Sequence, residues 1–285
     1  PHVSFARSPR RARRAALATL VAAAFVVIAS LAWPSWERAA DARAVAAADT
    51  SRVVVFPFDL ERAVAPPFDV TQSLRFAMQR WRGLDLVDPN ALSEAMGSKV
   101  GIAVSGSRLR AVALNLHAGR FVRGRVWRDG DSTRVQAILF DVSLGDRPLF
   151  ETSGTMSPTS AANRAMFAAL ADGLLLRTRD STESTDGASG TTSLGSRQAY
   201  LRGKKDLERW DLQAAESDLA SALRLDAHNP AAALWLALSR NWAGKDTATW
   251  FYAAEAAAAR RAELSASDQS KLDALAALAH GNQPR

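Results

Sequence analysis

The first long signal in the chain is a run without charge. Ala15 to Trp33 (AALATLVAAAFVVIASLAW) has no Asp, Glu, Lys or Arg, and as a helix it would span roughly 28 Å, close to the apolar thickness of a bilayer. Beyond it the hydrophobic pattern becomes periodic. Val53-Val54-Val55-Phe56 is a dense β-branched and aromatic run stopped by Pro57, the signature of a buried strand. Phe68–Trp81 then carries Val70, Leu74, Ala77, Met78 and Trp81 on one helical face. Leu84–Val87 reads as a second short strand. A helix capped by Asn90 follows, with Leu92, Ala95 and Met96 inward, then Gly97 and Gly101 interrupt. Arg108–His117 is helical again, with Leu109, Val112, Ala113 and Leu116 as its inner stripe.

After Gly119 the period falls from 3.6 to 2. Phe121, Arg123, Arg125 and Trp127 alternate with Val122, Gly124 and Val126, and Asp129-Gly130-Asp131 supplies a tight turn. The returning strand sets Thr133, Val135, Ala137 and Leu139 against Arg134, Gln136, Ile138 and Phe140. Gly145-Asp146 turns the chain into a third strand, Pro148–Thr155, and Ser160–Leu176 closes the region as an amphipathic helix. The order of strand, helix, strand, two helices, three-strand meander and helix predicts an α/β sandwich with a mixed sheet, rather than a doubly wound sheet.

Residues 178–196 are mostly Ser, Thr, Gly and Asp and read as a flexible linker. The remainder, 197–285, is alanine-rich and helical. Ala199, Gly203, Ala215, Leu219 and Ala222 hold the small and large positions of a tetratricopeptide-type hairpin, and Asn229-Pro230 opens the next one with Ala233, Leu236 and Ala237. The pattern resumes over Trp250–Leu264, and Lys271–His280 reads as the start of a further helix. Stacked hairpins commonly present a face to a peptide or protein partner. Trp210, Trp235, Trp242 and Trp250 are read first as packing residues, with the exposed face of the array as the expected partner surface.

Composition then narrows the chemistry. The 285 residues carry a net charge of +7, no cysteine and four histidines. Disulfides, thiol catalysis and thiolate metal sites are therefore excluded. His2, His117, His228 and His280 are scattered, so no metal-ligating residue is identified. Asp59, Glu61, Asp69, Asp85 and Asp88 sit at strand ends and loop edges without a histidine or cysteine to complement them. No catalytic or cofactor-binding residue is singled out, no cofactor is implied, and the chain is read as non-enzymatic. Gly101–Gly106 (GIAVSG) lacks the lysine and spacing of a phosphate loop. Phe56-Pro57-Phe58-Asp59 ends the first strand, where open sheets often hold ligands. Arg123, Arg125 and Arg134 line either a solvated sheet face or a basic contact patch.

Arg7, Arg10, Arg11, Arg13 and Arg14 precede the uncharged run, and Trp33 and Trp36 follow it. Positive-inside bias and an aromatic belt make 15–33 a transmembrane helix, with 1–14 a basic cytoplasmic juxtamembrane segment and 34–50 a spacer. The expected placement is a bacterial inner membrane, single pass, N-terminus cytoplasmic and the rest extracytoplasmic, with the lipid bilayer as partner through 15–33 and no nucleic acid. A cleaved signal with Ala44-Val45-Ala46 as its site, or a buried helix, are the alternatives.

Two resemblances complete the reading. Arg52–Asp59 (RVVVFPFD), Leu84–Pro89 (LDLVDP), Gly119–Gly130 (GRFVRGRVWRDG) and Thr133–Asp141 (TRVQAILFD) resemble the N-terminal α/β domain of the TolB family over about 51–177. Phe56 replaces that family's usual leucine, and His117-Ala118 stands where a Gly-Ala pair is common. Residues 197–281 resemble the tetratricopeptide region that follows such domains. The whole layout is similar to the extracytoplasmic part of membrane-bound bacterial serine/threonine protein kinases, which implies a catalytic domain upstream of Pro1 in a longer parent. No kinase motif lies in these residues, so no catalytic residue is carried over. The leading expectation is a sensory or scaffolding module that binds protein or peptide partners through its helical repeats. The alternative is the accessory half of such a kinase.

Overall fold

The computed structural model describes residues 39–62, 64–97, 104–176 and 190–279. The predicted membrane helix, Ala15–Trp33, and the basic segment before it lie outside the described residues. Among the described residues no helix is long and apolar enough to cross a membrane. The chain divides into a unit ending at Ala48 and a second spanning Asp49–Arg285. In the first, residues 39–47, expected as a polar spacer, are helical (α1), in keeping with the high helix propensity of their alanines.

In the second unit the predicted order of elements is present. Strand β1 (Asp49–Val55) is followed by α2 (Val70–Gln79), β3 (Asp85–Leu86), α3 (Pro89–Met96), α4 (Gly106–Asn115), β4 (Ala118–Asp129), β5 (Ser132–Asp141), β6 (Pro148–Thr155) and α5 (Ser160–Leu175). The sheet is mixed, in the order β3-β1-β4-β5-β6. β1 runs parallel to both neighbours, while β4, β5 and β6 form the antiparallel meander.

The sequence pattern did not show β2 (Asp59–Leu60), which pairs with Arg125 and Val126 after β1 has paired up to Val122. Four residues on the first strand thus match three on β4, a bulge that re-aims the chain around Pro57. The cap of α3 also differs from expectation. Asp88, not Asn90, occupies the N-cap and accepts from the Asn90 and Ala91 amides, with Pro89 at the first helical position.

Alternation along the strands sends Val53, Val55, Val122, Val126, Val135, Ala137 and Leu139 to one face, where they pack with Leu74 and Met78 of α2 and Phe167, Leu170 and Leu174 of α5. The opposite face buries Val54, Phe56 and Phe121. Phe121 stacks on Phe140 at 4.8 Å and meets Phe56 edge-on at 5.8 Å.

The helical part begins earlier than expected. Thr192 carbonyl accepts from the Arg82 amide, Ser193 forms a parallel bridge to Arg82, and α6 (Leu194–Glu208) starts inside the stretch read as linker. Then come α7 (Leu212–Leu225), α8 (Pro230–Trp242), α9 (Thr247–Ala258) and α10 (Ala266–Ala279). Both α9 and α10 begin ahead of the predicted Trp250 and Lys271. Helices α6 and α7 are antiparallel, since Ser196 hydroxyl donates to Ala222 carbonyl at 2.8 Å near one end and Arg202 pairs with Asp218 further along. Gly203 is required there. A Cβ on it would lie 2.7 Å from Leu219 Cγ, so only glycine permits this approach. Asn229 ties the next hairpin on, donating to Ser196 hydroxyl at 2.9 Å while its side-chain oxygen caps α8 through the Ala232 amide.

Candidate functional site

Helices α6, α8 and α10 share a face, and its centre is Trp235. Lys204 Nζ of α6 lies 3.6 Å from the centroid of the Trp235 ring, and Lys271 Nζ of α10 lies 5.2 Å from it. Two cations on one indole exploit the negative face of the ring. Two turns before Lys204 along α6, Arg197 lies over the Tyr200 ring at 5.1 Å. Burial pushes the Tyr200 phenol up to about 12, against the pull of Arg197. Burial likewise holds the Arg197 guanidinium below its ordinary value, opposed by Tyr200 and Asp172.

The aromatic surface continues to one end of the hairpins. Trp242, at the last position of α8, meets Trp235 edge-on at 6.3 Å and stacks on Trp210 at 5.7 Å with an interplanar angle of 24°. Trp210 sits between α6 and α7 with φ of 59°, a left-handed conformation that non-glycine residues adopt only under constraint. Its carbonyl-side neighbour Asp211 caps α7 through the Ala214 amide. The side chain is 65% exposed, and Trp242 is 41% exposed. Trp250 and Trp235 are buried, while Trp210 and Trp242 pack on each other between hairpins and still leave much of their surface exposed.

The other residues singled out in the sequence have local partners. Asp59 pairs with Arg123 at 3.0 Å, Glu61 accepts from the Arg128 amide at 3.0 Å, and Asp85 lies 3.5 Å from Arg52. Asp69 and Asp88 are N-caps of α2 and α3. These five carboxylates serve as caps and surface pairs. Arg123, Arg125 and Arg134 do share one sheet face. Arg123 and Arg134 are taken up by Asp59 and Asp129, and Arg125 lies over Trp127 at 5.6 Å. His117 ends α4 with φ of 55° and its carbonyl accepts from the Asp49 amide, while the His228 amide donates to Asp226. Ser105 takes the N-cap position of α4 without a side-chain cap bond. Among the described residues no group of three His, Cys, Asp or Glu is placed to hold a metal ion.

No protein-family model matches the sequence, and no curated protein shows significant similarity to it. Among solved structures, the LpoB C-terminal domain from Escherichia coli is 18% identical, with 41% of this chain and 94% of that one covered and a TM-score of 0.34. The LpoB C-terminal domain from Salmonella enterica is also 18% identical, covering 39% and 84%, with a TM-score of 0.32. TolB from Acinetobacter baumannii is 11% identical over 44% of this chain and 27% of that chain, with a TM-score of 0.28. Likeness at this level says nothing of what the chain binds.

Proposed function

We propose that the chain is a non-catalytic module that binds a protein or peptide partner on the face shared by α6, α8 and α10. In this reading its helical pairs act as tetratricopeptide-type repeats, and Ala15–Trp33 anchors the chain in a membrane with the folded part outside the cytoplasm. The observation that carries the binding role is the exposed Trp210–Trp242 stack, which runs into Trp235 and its two lysines. Large exposed aromatics next to cations are what binding hot spots are made of, and they are costly to leave in water otherwise.

The test is a peptide-display selection against the chain, followed by binding measurements with Trp210→Ala and Trp242→Ala. Both changes are expected to weaken the selected peptides about 10-fold or more, with the thermal midpoint little altered because both rings are exposed. Selected peptides that bind both variants as well as the parent would refute the site. A reporter fused after Thr50, active only outside the cytoplasm, tests the topology separately. The narrower reading, the accessory half of a membrane-bound kinase, is decided by the reading frame upstream of Pro1.

A further inference from the structure

A cavity of about 220 Å³ opens at the carboxyl end of β1, walled by Val55, Pro57, Thr71, Arg75, Leu92 and Met96. Its place follows from topology. The chain leaves β1 through α2 to β3 on one side, then crosses through α3 and α4 to β4 on the other. Strand order reverses at this point, and open parallel sheets bind ligands at the carboxyl ends of strands where it does so.

The cavity wall holds an unpaid electrostatic cost. Arg75 is 5% exposed, and its Nη2 donates to the Val87 carbonyl at 2.9 Å. Its Nε and Nη1 are buried without an acceptor among the described residues. Guanidinium nitrogens left so are expensive, because a buried cation needs both a counter-charge and hydrogen-bond acceptors. Asp88 favours the charge from a distance, and burial opposes it more strongly. The nearby carboxylates are engaged elsewhere: Asp69, on the rim, accepts from the Gln72 amide, and Asp88 accepts from Asn90 and Ala91. Thr71 hydroxyl accepts from the Phe58 amide at 3.0 Å. The amino ends of α2 and α3 both reach the cavity, and the positive end of each is offset by its own cap carboxylate, Asp69 and Asp88, which leaves Arg75 as the cation of the site.

We propose that this cavity binds a small carboxylate with an apolar body. On binding, the Arg75 guanidinium, whose Nε and Nη1 are otherwise enclosed, turns to donate from them to the carboxylate, and the hydrocarbon lies against Val55, Leu92 and Met96. One cation in the wall, with the Asp69 carboxylate on the rim, suits a monoanion better than a phosphate dianion. The volume, below the roughly 300 Å³ at which drug-sized pockets begin, suits a short branched acid.

The experiment uses the full chain in a neutral detergent and isovalerate as probe, with isovaleramide and inorganic phosphate at equal concentration and ionic strength as comparisons. Saturable movement of the Arg75 Nε–H and Met96 methyl resonances is expected with isovalerate only, and Arg75→Met is expected to weaken it about 10-fold or more. Met96→Trp fills the cavity from its edge, should abolish the response, and covers the case in which Arg75→Met does not fold. Trp210→Ala should respond as the parent does, which separates this site from the helical face. No response to isovalerate, an equal response to isovaleramide or phosphate, or an undiminished response in both cavity variants would overturn the proposal.

Discussion

Gly124 lies beneath the Phe58 ring, and a Cβ added there would fall inside the ring's van der Waals envelope. The contact exists because of the bulge between β1 and β2, which swings Phe58 over β4 into the core on the α2–α5 side. Gly124→Ala must move either the ring or the strand, and overpacking of this kind costs about 1–3 kcal/mol. A urea titration should show the midpoint falling with an unchanged slope, and an unshifted midpoint would mean the ring swings aside freely. The alternation of Val122, Gly124 and Val126 showed in the sequence which face the glycine occupies. It could not show the partner, since a one-residue bulge alters no residue type. Arg75 escaped for a related reason. It neighbours the inner stripe of α2 and reads as a solvated residue, until β3 places the Val87 carbonyl beside it.

At the scale of elements, the period-2 and period-3.6 patterns were enough to locate β1, β3, the meander and α2 to α5, because each buries one regular face. The start of α6 was hidden by composition. Leu194 is a lone apolar residue at the end of a run of serine, threonine and glycine, yet it is buried in the core of the α/β layer with Leu174, Leu175 and Leu176. A helix of the array therefore completes the core of the preceding domain. Leu194→Ala is expected to cost about 2–5 kcal/mol, and hydrogen exchange should show the loss of protection in α5 and β5 as well as in α6. Loss confined to α6 would show that the leucine serves only its own helix.

For the molecule as a whole, the join between the two parts has an electrostatic element that acid should remove. Burial works to raise the Asp226 carboxyl, but bonds from the Thr191 hydroxyl and the His228 amide, with Arg82 alongside, outweigh it and hold the group below the ordinary carboxylate value. Arg82 Nη2 lies 3.2 Å from it, and the Thr191 bond pins the chain just ahead of α6. A lowered carboxyl contributes stability that is complete above its unfolded pKa of about 3.9 and is lost as pH falls through the lower, folded value. The join should stay intact at pH 5 and weaken only in more strongly acidic solution, whereas Asp226→Asn should already be weakened at neutral pH. The pH dependence of protection at the Arg82 and Leu194 amides measures this, and an Asn variant indistinguishable from the parent at pH 7 would discount the pair.

The burial of Leu194 also has a mechanical meaning. Leu176, the last described residue of the α/β domain before the Ser/Thr-rich stretch, and Leu194, the first residue of α6, are held by one core. Any pull that a partner exerts on the helical array is borne by the first turn of α6, and passes through Leu194 and the Arg82 backbone to the end of α2 and the edge of the sheet beside β3. The array is thus joined to the carboxyl end of α2, at the end of the sheet away from the Arg75 cavity, which opens at the amino end of that helix.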